Sequence, residues 1–224
     1  MADNPSIWLN KPPSGWYSGQ VDLSRPYAVA APTLDPGVLT VLAGANRPLT
    51  GREIARLLGR PSHSGVGAAL SRLVVQGLVE REEAGRAFLF TLNREHLAAP
   101  AAELLAGLRE ELLRRIHDAV DAWGVKPAHL SLFGSAARGD GGTDSDIDLF
   151  VVRPVGVGRD TDVWRVQVDA LGMEIERWTG NPTRIAEMGE SEIPQVQKER
   201  PAIVDELRSD AITLAGPDVS ILFE

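Results

Sequence analysis

Apolar residues in this chain recur mostly at three- and four-residue steps, broken in places by short continuous apolar runs. The first spacing predicts amphipathic helices and the second predicts buried strands. Between Pro36 and Ala45, Val38, Leu39, Val41 and Leu42 make one helical stripe. Thr50 stands three residues before Glu53, a capping box that opens a second helix with Ile54, Leu57 and Leu58 facing inward. A third helix, Ser62 to Gly77, repeats Val66, Leu70, Leu73 and Val74 at helical spacing. Leu78–Arg81 and Ala87–Leu92 then read as two strands around a charged tip containing Gly85. Pro100 is suited to the first turn of a long helix, which carries Leu104, Leu105, Leu108, Leu112, Ile116, Val120 and Trp123 and stops at Gly124.

Past Gly124 the pattern changes. Leu130–Phe133 and Ile147–Val152 are apolar runs that predict buried strands. Asp160 or Thr161 caps a helix reaching Trp178, with Val163, Trp164, Val168, Leu171, Ile175 and Trp178 available for a core. Gly180-Asn181-Pro182 ends it. Thr183–Met188 is a short strand, and Ala211–Leu214 a last one. Between them Glu190–Gln197 and Pro201–Arg208 read as helices, the first disturbed by Pro194. Strands alternating with helices predict a mixed α/β fold, helices packed on a sheet. Four segments follow: an extension over 1–34, a helix–hairpin module over 35–95, a connecting helix over 96–124 and the α/β module over 125–224.

Charge separates the modules. The chain as a whole carries a net −8, yet residues 35–95 hold eight arginines against six acids and residues 96–224 a net −10. A basic module joined to an acidic one suggests two tasks. The extension holds five prolines, which forbid regular helix, together with Trp8, Trp16, Tyr17 and Tyr27. Such aromatics imply packing on the chain's own body or on a second subunit, so a homodimer is one expectation. Cysteine is absent, which excludes disulfides, thiolate metal sites and a cysteine nucleophile, and fits a cytoplasmic location. No apolar run is long enough to span a bilayer, and the first residues lack the pattern of a signal peptide, so no membrane partner is expected.

The chemistry concentrates between Gly134 and Asp148. Gly134-Ser135 follows a strand and makes a turn able to hold phosphates; Asp146 and Asp148 follow, separated only by Ile147. On a strand these two carboxylates share a face. So close, they repel unless a cation lies between them, and an all-oxygen donor set suits Mg²⁺ or Mn²⁺ completed by substrate phosphates. Gly139, Gly141 and Gly142 keep the intervening loop free of side chains, although plain loop flexibility explains them equally well. His117 lies among charged neighbours and reads as a surface residue.

This run resembles the signature of the DNA polymerase β-like nucleotidyltransferase superfamily, above all its minimal prokaryotic members, with Gly-Ser-x-Ala-Arg-Gly followed by Ser-Asp-Ile-Asp-Leu. Gly134, Ser135, Ala137, Arg138, Gly139, Ser145, Asp146, Ile147, Asp148 and Leu149 match it. The resemblance implies transfer of a nucleoside monophosphate from an NTP, ATP being the expected one, to an acceptor hydroxyl. It places Gly134, Ser135, Arg138 and Ser145 on the nucleotide, and Asp146 and Asp148 on the metal as catalytic acids. A third acid on a later strand is also implied, and Glu187 is the match, to ligate the metal or deprotonate the acceptor. Some members of the group are antitoxins that adenylylate a partner toxin, which makes such a protein a candidate partner.

Three helices followed by a hairpin resemble a winged helix-turn-helix. That likeness implies duplex DNA as a partner, with the third helix in the major groove and the hairpin tip near the backbone. Arg52, Arg60, Arg72 and Arg86 are then the phosphate contacts, and Ser62, His63, Ser64 and Ser71 the polar groups of the reading face. Glu82 and Glu83 near the tip oppose phosphate, so a winged helix used for protein contact is the alternative. Two functions stand side by side: a metal-dependent nucleotidyltransferase, or a DNA-binding regulator or antitoxin whose nucleotidyltransferase module senses nucleotide or is inactive.

Overall fold

A computed structural model describes residues 8–10, 33–59, 61–139, 145–199 and 202–224. Of the extension, therefore, strand β1 (Trp8–Asn10) and its last two residues, Thr33 and Leu34, are described. Trp16, Tyr17, Tyr27, Arg60, Gly141 and Gly142 lie outside the described residues, and the expectations placed on them stay where the sequence left them. The chain divides into two units: β1 with Glu111–Glu224 is one, and Arg25–Glu110 holds the other.

The second unit begins with α1 (Leu34–Ala43), then β2 (Leu49–Thr50), α2 (Gly51–Leu57), α3 (His63–Val75), β3 (Val79–Ala84), β4 (Ala87–Leu92) and α4 (Ala99–Ala106). The capping box forms: Thr50 Oγ1 accepts from the Glu53 amide at 3.3 Å, and the Thr50 amide donates to Glu53 Oε2 at 2.8 Å. Ser62 caps α3 by accepting from the Gly65 amide at 3.1 Å. β4 lies between β2 and β3, antiparallel to both. Two residues at the hairpin tip, Gly85 and Arg86, join the long strands, and Gly85 has the positive φ of 64° that such a turn favours. Val38, Leu42, Ile54, Val66, Leu70 and Leu73 fill the core. Leu57, expected inward, is exposed, because α2 ends there and Ile54 and Ala55 carry its buried face.

Residues 96–124 do not form one helix. α4 stops at Gly107, and α5 (Leu108–Asp121) starts afresh. Glycine is a poor interior helix residue, and Leu104, expected on the apolar stripe, is exposed, the buried residues of α4 being Ala99 and Ala102. Ala99 packs with the winged unit, whereas Leu112, Ile116 and Val120 pack beneath the sheet of the other.

That sheet is built from β5 (His129–Phe133), β6 (Ile147–Arg153), β7 (Thr183–Gly189) and β8 (Ile212–Ala215), with α6 (Gly134–Arg138) directly after β5. α7 (Asp162–Thr179) connects β6 to β7, and a single 3₁₀ turn at Glu190–Glu192 leads into α8 (Ile193–Glu199), followed by α9 (Ala202–Asp210); α10 (Val219–Leu222) comes last. Pro194 sits in the first turn of α8, where its missing N–H is no loss. The strand order is β1-β7-β6-β5-β8. β6 and β7 are parallel, as a helical crossover requires, while β5 runs antiparallel to β6 and to β8.

β6 is central and buried on both faces, which is why it reads as an unbroken apolar run. Ile147, Leu149 and Val151 enter one core with α5 and α7; Phe150 and Val152 enter the other with α8, α9 and α10. Trp164 is fully buried and meets Trp123 edge to face at 5.6 Å, while Val163 is exposed rather than in the core. Among the described residues no helix is long and apolar enough to cross a membrane.

Candidate active site

Where β5 ends, the backbone turns at Gly134 with φ +70°. Across the antiparallel pair Phe133 faces Asp148 in register, so the turn comes directly against that carboxylate. A Cβ at Gly134 would lie 2.8 Å from Asp148 Oδ2. Glycine is therefore needed twice over, for its φ and for the space its missing side chain leaves to the carboxylate. α6 follows at once and ends at Gly139, in the left-handed region at φ 74°.

Asp146 and Asp148 share the sheet face of Phe150 and Val152, as the alternation predicts. Burial pushes the Asp148 carboxyl up to about 6; the neighbouring Asp146 charge adds to this, Arg184 opposes it, and Glu206 raises it further. Asp146 is bridged to Arg184, whose Nη2 lies 2.6 Å from Oδ2. Ser145 and Asp146 lead into the strand, held by Asn181 Nδ2 donating to the Ser145 carbonyl at 3.0 Å. Ser135 is half-buried at the start of α6. Arg138 lies 2.7 Å from Asp210 of α9, so the guanidinium assigned to the triphosphate is bridged to a carboxylate at the rim of the site.

Glu187 does not join the pair, contrary to the sequence expectation. The parallel register sets Asp148 beside Arg184 and Val151 beside Glu187. Positions 184 and 187 differ by an odd number, so their side chains leave opposite faces of β7. Glu187 accepts from Trp164 Nε1 at 2.9 Å, pairs with Arg153 and has Arg159 at 4.0 Å. Its side chain is 10% exposed, on the face of the sheet that packs against α7, where it lines an open cleft with Arg159, Asp160 and Trp164. It is a part-buried ion-pair partner on the far side of the sheet from the acids. Arg184 stands at the strand position beside the acids; the sequence reading passed over it because only the register reveals it. Among the described residues no group of three or more His, Asp or Glu side chains gathers as a metal cage.

In the winged unit, Arg52, His63 and Phe88 line an open groove of about 550 Å³ between α2, α3 and β4. Ser62, His63, Ser64 and Ser71 are exposed along α3, and Arg86 is exposed at the hairpin tip. Ser62 is already engaged as the helix cap. Arg72 is not a free phosphate contact: its Nε and Nη2 donate to the two Asp35 oxygens at 3.1 and 2.7 Å, which staples α3 to α1.

A glycine turn set against a carboxylate pair at the head of a mixed sheet is the plan of a nucleotide-handling domain, and a three-helix unit with a hairpin is a winged helix. Residues 113–208 match the family model described as a nucleotidyltransferase domain, and residues 32–87 match that of the MarR family. The chain thus carries a MarR-family winged-helix domain followed by a nucleotidyltransferase domain. A solved structure described as "Crystal structure of the toxin-antitoxin with AMP-PNP" is similar at 15% identity and a TM-score of 0.35, over 50% of this chain and 80% of that one. No curated protein matches the chain.

Proposed function

We propose that this protein transfers a nucleoside monophosphate from an NTP, ATP first among them, to an acceptor hydroxyl, with a divalent cation held by Asp146 and Asp148. The observation that carries the reading is the Gly134 turn, whose absent Cβ opens the space beside Asp148 Oδ2. The donor set suits Mg²⁺ or Mn²⁺: two hard carboxylates, one of them neutralised in this structure by the guanidinium of Arg184 acting as a stand-in cation. A bound Mg²⁺ supplies Lewis-acid activation of the acceptor hydroxyl and charge neutralisation at the leaving pyrophosphate. The chain's own part is positioning. Backbone N–H groups at Gly134-Ser135 and the Ser135 hydroxyl receive phosphate oxygens, and Ser145 orders the approach to the acids. Arg138 adds positive charge at the phosphate end after leaving Asp210.

Calorimetry with ATP and Mg²⁺ tests this directly. Binding to the full chain should be lost or weakened at least about tenfold in Asp148→Asn, since the variant keeps the shape and removes a ligand charge. Equal affinity in the two proteins would remove the carboxylate pair from the argument.

The winged-helix domain supports a second task, duplex DNA binding, through Arg52 and Arg86 with His63, Ser64 and Ser71 on α3. The carrying observation is that these side chains are exposed on α2, α3 and the hairpin tip, the elements that would meet a duplex.

A further inference from the structure

Arg184 has no role in the reading above beyond covering Asp146, yet its placement is specific. It is the β7 residue in register with Asp148, and its side chain leaves the sheet on the same face as the acids. Its guanidinium reaches past Asp148 to Asp146 at 2.6 Å. Asp148, the more desolvated acid, is in no ion pair of its own among the described residues. One arginine faces two acids, and Glu206 adds a further negative charge near Asp148, so negative charge remains in excess. Arg184 is 45% exposed against 20% for Asp146, so the cation can swing away while the carboxylate stays in place.

A divalent ion that takes both carboxylates as ligands meets this guanidinium at Asp146 Oδ2 and competes with it there. A free ion offers the guanidinium nothing in exchange but water. A metal–triphosphate complex offers phosphate oxygens, which a planar guanidinium engages in a bidentate fork. The two arrivals therefore differ in free energy by what Arg184 gains at the phosphates, and metal and nucleotide affinities become coupled.

Resting on the nucleotidyltransferase reading, we propose that Arg184 is a specificity-determining residue of this site. It holds Asp146 against free divalent cations and admits the cation only together with a triphosphate, whose oxygens then take over the guanidinium. Metal loading without nucleotide is thereby suppressed.

The test is Mn²⁺ binding to the full chain, followed by the loss of the free-ion signal in electron paramagnetic resonance, with and without α,β-methylene-ATP, the nucleotide's own Mn²⁺ binding being measured without protein and subtracted. Arg184→Gln should bind free Mn²⁺ about fivefold more tightly than the wild type, the scale expected of a partly exposed ion pair. Its gain in Mn²⁺ affinity on adding nucleotide should shrink. Arg184→Lys keeps the charge and should restore the suppression while giving weaker nucleotide coupling, because an ammonium cannot form the fork. Circular dichroism of the three proteins should coincide. If Arg184→Gln binds free Mn²⁺ no more tightly than the wild type, the proposal is overturned. The functional reading would survive that result as long as nucleotide still recruits Mn²⁺ to the wild type and not to Asp148→Asn. If nucleotide recruits Mn²⁺ to none of them, both ideas fall together.

Discussion

Asp148 is the most perturbed acid in the candidate site, and its perturbation has a sign. Its folded value of about 6 lies above the ordinary 3.8, chiefly from burial and then from Asp146. The folded state therefore binds this proton more tightly than the unfolded chain. Stability from this group is fully present below about 4, falls as pH rises towards 6, and stays lower above it. Asp148→Asn removes the desolvated charge while preserving shape. The variant should melt higher than the wild type at pH 7.5, by on the order of a few degrees, and the advantage should vanish near pH 4. Thermal melts at the two pH values check this; a variant that melts lower at pH 7.5 would contradict the burial argument. On the proposed function, activity and stability pull in opposite directions at this residue, since the metal would need a charge that the fold does not.

Strand β7 shows what an element adds to its residues. Read alone, Thr183–Met188 offers Glu187 as its acid and Arg184 as an ordinary surface charge. Paired in register with β6, the same strand turns Arg184 to the acids and Glu187 to Arg153 and Trp164. Glu187→Ala should consequently destabilise the protein by about 1–3 kcal/mol, because it leaves the part-buried Arg153 guanidinium without its partner. It should leave ATP·Mg²⁺ affinity unchanged. Urea denaturation beside calorimetry separates the two effects, and a loss of nucleotide affinity in a stably folded variant would return Glu187 to the site. The connecting segment makes the same point. Its apolar spacing marked a core face from Leu112 to Trp123, whereas Leu104 is exposed and the helix breaks at Gly107.

At the scale of the molecule, two domains with different charge are joined in one chain, and the proposed DNA task falls to the winged helix. Arg52→Ala or Arg86→Ala should weaken duplex binding by the full chain across sequences and reduce the slope of log affinity against log salt by about 1 each. Arg72→Ala should leave that slope unchanged and lower the melting temperature instead, since Arg72 is bound to Asp35. Fluorescence anisotropy over a salt series distinguishes these outcomes. No change in slope for Arg52→Ala and Arg86→Ala alike would assign the domain to protein contact.

The sequence by itself determined what depends on neighbours along the chain. Periodicity marked the helices and strands, the Thr50–Glu53 capping box was readable from side-chain type, and the motif from Gly134 to Asp148 disclosed the turn and the paired acids. These are legible because period, capping and a one-residue spacing act within a few residues of backbone. Two-residue β2 was missed, since a strand so short has no period and exists only through its pairing with β4. Which charge joins the acids was equally out of reach. A parallel register is set by how far α7 carries the chain back and by which side chains its two cores accept. A slip of one residue would exchange Arg184 and Glu187 between faces. Only the packed sheet decided that the cation stands beside the acids and that Glu187 leaves by the opposite face.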